Sequence, residues 1–212
     1  MIKTGVGLLA VWYQPTPAGE AELNRWYEEE HLQERMEIPG FLAARRYRNL
    51  REGAKYIALY DMENLSVLAG DAYMKVRKNP TPLTRRVNAD ATINVRNEYE
   101  LVRTIGPNPI EPAPYLFMVQ LETDPEHDAE LNQWYDNEHL AALAGVPGCR
   151  GARRYRSSHA VPKYLAVYEI ASPDLPDSAV WRKAADTPWT LKLRPHFINR
   201  VYTMGELFRA IS

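Results

Sequence analysis

Several residue types and motifs are scarce in this chain, and each scarcity argues against a class of protein. There is one cysteine, Cys149, so no disulfide can form within the chain, and the sequence suits a reducing compartment. No apolar run approaches the roughly 20 residues of a membrane-spanning helix, and the residues after Met1 lack the apolar core of a signal peptide. We therefore expect a cytoplasmic protein that does not enter a membrane.

An excess of one charge is also missing. The 212 residues include 26 basic and 27 acidic side chains, which gives a formal net charge of −1. This balance offers no bulk attraction to nucleic acid or to an anionic membrane. The sequence has no C-x-x-C, H-x-x-x-H, Walker or G-x-G-x-x-G motif. We expect no nucleic-acid partner, no metal and no cofactor, and a small molecule as ligand or substrate.

What the chain does contain is an internal repeat. The segment 22–32 (ELNRWYEEEHL) returns as 130–140 (ELNQWYDNEHL), at an offset of 108. Each copy runs on to Pro-Gly, to Ala-Arg-Arg-Tyr-Arg and to Lys-Tyr-x-Ala-x-Tyr at the same offset. We interpret the chain as two copies of one unit, residues 1–106 and 115–212, joined by a linker with four prolines, residues 107–114.

The same order of elements is predicted in each half. One face of a helix that Pro-Gly ends is formed by Leu23, Trp26, Tyr27, Glu30, His31 and Glu34, and a second helix follows later in each half. Apolar patterns predict strands at 6–13, 41–47, 55–62, 93–102, 115–122, 149–156, 164–170 and 197–208. Each half therefore has the order β-α-β-β-α-β, which is a ferredoxin-like unit.

The predicted strands are apolar on both sides, so neither face of the sheets can remain in water. Helices cover only one face of a ferredoxin-like sheet, and the other half of the chain is the nearest partner for the second face. We predict an α+β fold in which two ferredoxin-like sheets pack face to face as a barrel-like core. The protein would be a monomer with an internal pseudo-dimer, or a homodimer of such chains.

The order Trp-Tyr-x-x-Glu-His-Leu, Pro-Gly and Arg-Arg-Tyr resembles the dimeric α/β-barrel superfamily and, within it, the EthD-like proteins. In that superfamily two ferredoxin-like units, usually from two chains, pack sheet to sheet. The resemblance covers nearly the whole chain and implies a fused, tandem form. It implies little about function, because the superfamily includes cofactor-free monooxygenases, lactone isomerases, polyketide cyclases and haem enzymes.

Two histidines are the first candidates for chemistry. His31 and His139 each follow a glutamate, and Tyr27 and Tyr135 precede them by one helical turn. Histidine exchanges protons near neutral pH, so these residues are candidates for a general acid or base. They could equally satisfy a requirement of the fold, which would explain their presence in both halves. His196 is a third candidate, since the first half has no evident histidine counterpart.

The second group of candidates would bind the ligand. Arg46 and Arg154 could anchor an anion, or could instead pair with a glutamate of the helix. The aromatic residues that could line a cavity, or simply pack in the core, are Tyr56, Tyr60, Tyr164, Tyr168, Trp26 and Trp134.

The pattern favours a cofactor-independent enzyme that acts by histidine acid–base chemistry on a small, aromatic or polyketide-like metabolite. The reaction would be a proton transfer, as in a lyase, isomerase or cyclase. One alternative is a non-catalytic, EthD-like protein that binds a small ligand. The other is a haem-binding enzyme of the same superfamily, which its visible absorption would reveal.

Three further expectations concern burial. Trp26, Trp134 and the two glutamates of the repeated helix should be buried, with each glutamate paired to an arginine or a backbone donor. One of the two histidines should border a tyrosine-lined cavity while the other is packed away from solvent. His127 and His159 should be solvated in loops.

Overall fold

The molecule is built on a closed barrel of eight antiparallel strands. The computed structural model describes residues 5–106 and 111–212, apart from the side chains of residues 93 and 94. Around the barrel the strands follow the order β1-β3-β2-β8-β5-β7-β6-β4, and β4 closes onto β1. The strands are β1 (Gly7–Pro15), β2 (Phe41–Asn49), β3 (Tyr56–Met62), β4 (Ala91–Ile105), β5 (Tyr115–Thr123), β6 (Cys149–Arg156), β7 (Tyr164–Ile170) and β8 (Phe197–Ile211).

Both halves of the chain contribute four neighbouring strands to this barrel. The first half supplies β4-β1-β3-β2 and the second supplies β8-β5-β7-β6. Two seams join the halves, because β2 pairs with β8 and β4 pairs with β6. Within the predicted linker, residues 107–110 lie outside the described part of the chain, and Ala113 is buried.

Helices cover the outer surface of the barrel. The long helix of each half is interrupted by a π-helical turn, at Tyr27–His31 and at Tyr135–His139. The α-helices are α1 (Glu20–Trp26), α2 (Leu32–Met36), α3 (Asp71–Lys78), α4 (Pro82–Asp90), α5 (Asp128–Trp134), α6 (Leu140–Ala144), α7 (Ala179–Ala185) and α8 (Pro188–Leu193). Among the described residues, no helix is long and apolar enough to cross a membrane.

Helices α4 and α8 depart from the sequence prediction, which placed a single helix between the third and fourth strands of each half. Thr81 and Thr187 are N-caps whose side chains accept hydrogen bonds from the backbone N–H groups of Thr84 and Thr190. The proline that follows each cap has no N–H group to leave unsatisfied and has the backbone angle that a first helical residue needs. The prolines therefore begin helices in both halves.

The barrel interior holds a network of four buried charges as well as apolar side chains. Arg45 Nη2 donates to Asp61 Oδ2 at 2.5 Å, and Arg153 Nη2 donates to Glu169 Oε1 at 2.5 Å. A cross-contact joins the halves, since Arg45 Nη1 donates to the same Glu169 oxygen at 3.3 Å. We call these four residues the central charge network. Neighbouring strand residues point to opposite sides of the sheet, so Arg45 and Arg153 point into the barrel while Arg46 and Arg154 point outwards.

Candidate functional site

Each half has one cavity between the outer surface of the barrel and its covering helices. The N-terminal cavity, of about 410 Å³, is lined by Leu9, Val11, Tyr13, Trp26, Tyr27, His31, Arg35, Tyr60, Tyr73, Arg77, Thr84, Asn88 and Arg96. The C-terminal cavity, of about 360 Å³, contains Trp134, Tyr135, His139, Tyr168, Trp181 and Phe117, with Arg51, Asp177, Asp186 and Arg194 among its other lining residues. Both volumes fall within the range of small-molecule sites, roughly 300–1,000 Å³.

A π-helical turn shapes the helix beside each cavity. The N–H group of Leu32 donates to the carbonyl of Tyr27, and that of Leu140 donates to the carbonyl of Tyr135, so each bond spans five residues. In a regular α-helix, residues five apart point about 140° away from each other. The wider turn brings them together, and the Trp26 and His31 rings stack with centroids 3.9 Å apart. Single π-turns of this kind are frequent at functional sites.

The two histidines occupy the same position in the two halves. His139 stacks on Trp134 at 3.9 Å, as His31 does on Trp26, and both histidines line a cavity while remaining 8–9% exposed. The expectation that one would be packed away from the cavity is therefore wrong. The Nδ1 atom of each is buried without a hydrogen-bond partner among the described residues.

Burial lowers the pKa of both imidazoles. It holds the pKa of His31 well below its usual value, with a further lowering by the nearby charges of Arg35 and Arg46. For His139, burial and then Arg194 lower the pKa to about 3, against an opposing effect of Asp186. Both rings are neutral at pH 7, so each has one nitrogen that can accept a proton.

Tyrosine hydroxyls are the second polar component of the cavities. Tyr60 and Tyr168 line the N-terminal and C-terminal cavities, and their hydroxyls are buried without a partner among the described side chains and backbone. Burial is the main cause that raises their pKa well above the usual value, so both stay protonated and can donate a hydrogen bond. Tyr27 and Tyr135, which the sequence analysis named as candidates beside the histidines, also line the cavities.

Four of the predicted ligand-binding residues lie outside the cavity linings. The Arg46 guanidinium is sandwiched between the rings of Tyr27 and Tyr56, 4.1 and 4.2 Å from their centroids. Arg154 is held in the same way at 4.4 and 4.5 Å by the equivalent tyrosines, one of which is Tyr164. Tyrosine rings thus cover both guanidinium faces, an arrangement that fits a packing role.

The glutamates of the repeated helix are half-buried, and among the described residues they pair with neither an arginine nor a backbone donor, contrary to the expectation. Glu30 Oε1 accepts hydrogen bonds from the hydroxyls of Thr81 and Thr84 at 2.7 and 2.8 Å and from Trp26 Nε1 at 3.2 Å. Glu138 accepts one from Thr187 at 2.5 Å. The threonine partners come from the N-termini of α4 and α8, the two helices that the sequence analysis missed. Trp26 and Trp134 are buried as predicted.

His196 does not line either cavity. Its Nδ1 lies 3.0 Å from Asp124, and its ring stacks on that of His127 at 3.4 Å, so His127 is also part of a cluster rather than a solvated loop residue. These three side chains have the composition of a metal site. However, Asp124 already binds the Nδ1 atoms of both rings, and two nearly parallel stacked rings cannot both point a lone pair at one ion.

The first half explains what this cluster does. At the equivalent positions, the hydroxyl of Thr16 donates to the carboxylate of Asp90 at 2.6 Å, which ties the end of β1 to the start of β4. Asp124 and His196 tie β5 to β8 in the same place. The Asp124–His196 contact thus plays the structural role that the Thr16–Asp90 hydrogen bond plays in the first half. His196 has no access to a ligand through the described cavities.

A haem group does not fit the histidines. A metal-bound imidazole nearly always donates its second ring N–H to a carboxylate, carbonyl or water, which fixes its orientation. In both halves Nδ1 is buried without such a partner among the described residues, and one ring face is covered by an indole. We derive no chemistry through haem.

Two residues to which the sequence analysis gave no role make the surroundings of the two histidines different. Glu34 and Arg35 follow His31 in the first half, and the offset of 108 puts Ala142 and Leu143 at the equivalent positions. Glu34 Oε2 lies 3.8 Å from His31 Nδ1 and 3.8 Å from Arg35 Nη2. Comparing the two halves residue by residue beyond the matching segment would have found this difference.

Comparison with known proteins shows similarity in structure only. No family model and no curated protein sequence matches the chain. A candidate monooxygenase from Fusobacterium nucleatum is 10% identical, with a TM-score of 0.66 over 98% of this chain and 95% of that one. An anthrone oxidase-like protein is 14% identical, with a TM-score of 0.63 over 97% and 92%.

A mutant chlorite dismutase from Candidatus Nitrospira defluvii is also similar. It is 15% identical, with a TM-score of 0.66 over 98% of this chain and 93% of that one. The structural similarity establishes a shared fold, and sequence identities this low give no information about activity. The chain therefore has the dimeric α/β-barrel fold, with a single polypeptide supplying all eight strands of the barrel.

Proposed function

We propose that the protein is a cofactor-independent enzyme that moves protons on a small aromatic or polyketide-like molecule. The observation that carries the proposal is the N-terminal cavity, where a neutral imidazole and an unpartnered tyrosine hydroxyl face one space. The rings of His31 and Tyr60 are 6.0 Å apart and nearly perpendicular. This pair can act on two atoms of one small substrate, as a lyase, isomerase or cyclase requires.

In the proposed reaction, His31 accepts a proton from a carbon or hydroxyl of the substrate. The Tyr60 hydroxyl donates a hydrogen bond to the oxygen on which negative charge develops. The imidazolium then returns its proton to another atom of the same molecule, so that no redox partner is needed. Glu34, 3.8 Å from Nδ1, stabilises the positive imidazole in the meantime.

The C-terminal cavity lacks one part of this arrangement. Ala142 stands where Glu34 stands in the first half, so no carboxylate lies at that position beside His139. The pKa shifts do not separate the two rings, because burial and arginine charges lower the pKa of both, and Asp186 partly opposes the lowering at His139. We assign the chemistry to the N-terminal cavity because Glu34 and the Tyr60 ring lie close to His31, and a scaffold or binding role to the other one.

The architecture belongs to the same proposal. We infer that the chain consists of two ferredoxin-like repeats, residues 1–106 and 115–212, fused through residues 107–114 and similar to EthD-like proteins. The sequence offset of 108 and the matching strand orders β4-β1-β3-β2 and β8-β5-β7-β6 support this inference. A cytoplasmic location, and a monomer with an internal pseudo-dimer or a homodimer of such chains, stay predictions.

A non-catalytic ligand-binding protein is the second candidate. The observation in its favour is that both histidines are strongly shifted towards the neutral form, which makes them weak bases before a ligand binds. The two candidates agree on the cavity and differ only in turnover.

Exchange of carbon-bound hydrogen for deuterium separates the candidates without knowledge of the product. A panel of aromatic ketones and polyketide-like diketones would be incubated with the protein in D₂O and followed by NMR. We expect accelerated exchange for at least one compound, and a loss of about 100-fold or more in His31→Gln. The exposed His159 provides a matched control, and His159→Gln should behave like the parent. Exchange that survives in His31→Gln would rule out the proposed base.

A further inference from the structure

The two cavities differ in how deeply their cationic side chains are buried. In the C-terminal cavity, Arg194 donates to Asp186, and Arg51 lies 3.8 Å from Asp177. These four side chains are each at least a third exposed, and the other two arginines of the lining, Arg182 and Arg200, are exposed as well. Charges that solvent screens in this way contribute little to binding an anion.

Arg35 in the N-terminal cavity is arranged differently. Its side chain is only 11% exposed, and the ring of Tyr73 covers the guanidinium at 5.1 Å. Glu34 Oε2 approaches Nη2 only to 3.8 Å, which is too long for a hydrogen bond, and Nη1 is buried without a partner among the described residues. A buried cation with an unused donor is costly unless something pairs with it.

The residues around Arg35 also suit an anionic aromatic ligand. Arg77 and Arg96 line this cavity, Arg96 pairs with Glu98 and donates to the Tyr73 hydroxyl, and no carboxylate side chain is among the described lining residues. The Tyr60 hydroxyl adds a neutral donor, and aromatic rings form much of the wall. The cavity therefore combines cationic side chains, unsatisfied donors and flat apolar surfaces.

We infer that the N-terminal cavity binds an aromatic carboxylate, whose charge Arg35 anchors through Nη1, which is buried without a hydrogen-bond partner among the described residues. A planar guanidinium and a carboxylate match in geometry, and their hydrogen bonds are roughly twice as strong as neutral ones. The C-terminal cavity lacks this anchor because Leu143 stands at the equivalent position. The inference rests on the proposed function in taking this cavity as the substrate site, and it names the substrate class.

Calorimetric titration with 1-naphthoate and its neutral isostere 1-naphthamide tests the anchor. We expect the parent protein to bind the carboxylate more tightly than the amide. Arg35→Leu, which copies the residue of the other half, should lose about 10- to 100-fold in affinity for 1-naphthoate and leave binding of 1-naphthamide unchanged. Arg35→Lys, which keeps the charge without the flat edge, should fall between the two.

The matched control is Arg25→Leu, since Arg25 is exposed, precedes the same π-helical turn and carries the same charge. It should leave both affinities unchanged. The inference is overturned if the parent does not prefer the carboxylate, or if Arg25→Leu and Arg35→Leu lose affinity equally. Binding does not depend on turnover, so a His31→Gln variant that binds 1-naphthoate but exchanges no hydrogen keeps this inference and the proposed function separately testable.

Discussion

The two halves of the barrel contain the same aromatic framework and differ in the charges placed around it. Trp26 and His31 stack at 3.9 Å, and so do Trp134 and His139, each beside a π-helical turn. The first half adds Glu34 and the buried Arg35 directly after that stack, whereas the second half has Ala142 and Leu143 there and places Asp186 and Arg194 at the exposed rim of its cavity. The comparison teaches that the Trp–His stack belongs to the fold, whereas the residues just after it decide the chemistry.

Substitutions of residues that the two halves share should therefore have different effects from substitutions of residues found in one half. Changes to features that both halves share should reduce stability. Changes to features found in one half should alter binding or turnover while the barrel stays folded.

The largest effect is expected from the central charge network, which joins the halves. Arg45→Met leaves Asp61 and Glu169 buried with only Arg153 between them, and we expect a loss of about 3–5 kcal/mol in the free energy of unfolding. Arg48→Met is the control, because Arg48 lies on the same strand and pairs with Glu206 in an exposed position. That change should cost less than about 1 kcal/mol. Equal losses in denaturant titrations of the two variants would contradict the role of the network.

A smaller loss of stability is expected when the pH is lowered below 6.5. Below the ordinary histidine pKa of 6.5, the unfolded chain binds a proton at His139, whereas the folded chain does so only near pH 3. Between these two pH values the unfolded state therefore binds more protons than the folded state. As the pH is lowered, the free energy of unfolding decreases by up to about 1.4 kcal/mol per pH unit for each buried histidine. His31, whose pKa is also lowered, should add to the slope.

Urea titrations at several pH values check this prediction. His139→Gln should flatten the slope between pH 6.5 and 5, whereas His159→Gln, which changes an exposed histidine, should leave the slope as it is. A parent protein whose stability does not change over this range would show that the imidazoles are not buried in the neutral form.

The smallest expected effect is a difference in stability between variants of Glu30 and Glu138. Glu30 accepts hydrogen bonds from Thr81, Thr84 and Trp26, whereas Glu138 accepts one from Thr187. Replacing a charged acceptor by a neutral one weakens each bond, so Glu30→Gln should cost about 1 kcal/mol more than Glu138→Gln. Thermal unfolding of both variants side by side would measure the difference, and a larger loss in Glu138→Gln would contradict the assigned partners.

The sequence predicted much of the fold because the repeat and the apolar alternation are local patterns. The strands and the two long helices followed from these patterns. Helices α4 and α8 were missed because a proline often marks the end of a helix, although Pro82 and Pro188 each follow an N-capping threonine and begin one.

The parts of the site that could not be predicted depend on contacts between distant residues. Arg45 and Glu169 are far apart in the chain and meet only because the barrel closes. The π-turns leave no recognisable signal in the residues that form them, so the Trp–His stack was not foreseen. Arg35 was visible in the sequence, but its missing partner is a property of the folded cavity.

The central claim is that two similar cavities perform different tasks, and paired histidine variants test it most directly. Hydrogen exchange of the best compound would be measured with His31→Gln and His139→Gln under the same conditions. The account predicts that His31→Gln loses about 100-fold or more of the exchange rate while His139→Gln keeps most of it. Equal losses in both variants, or a loss confined to His139→Gln, would contradict it.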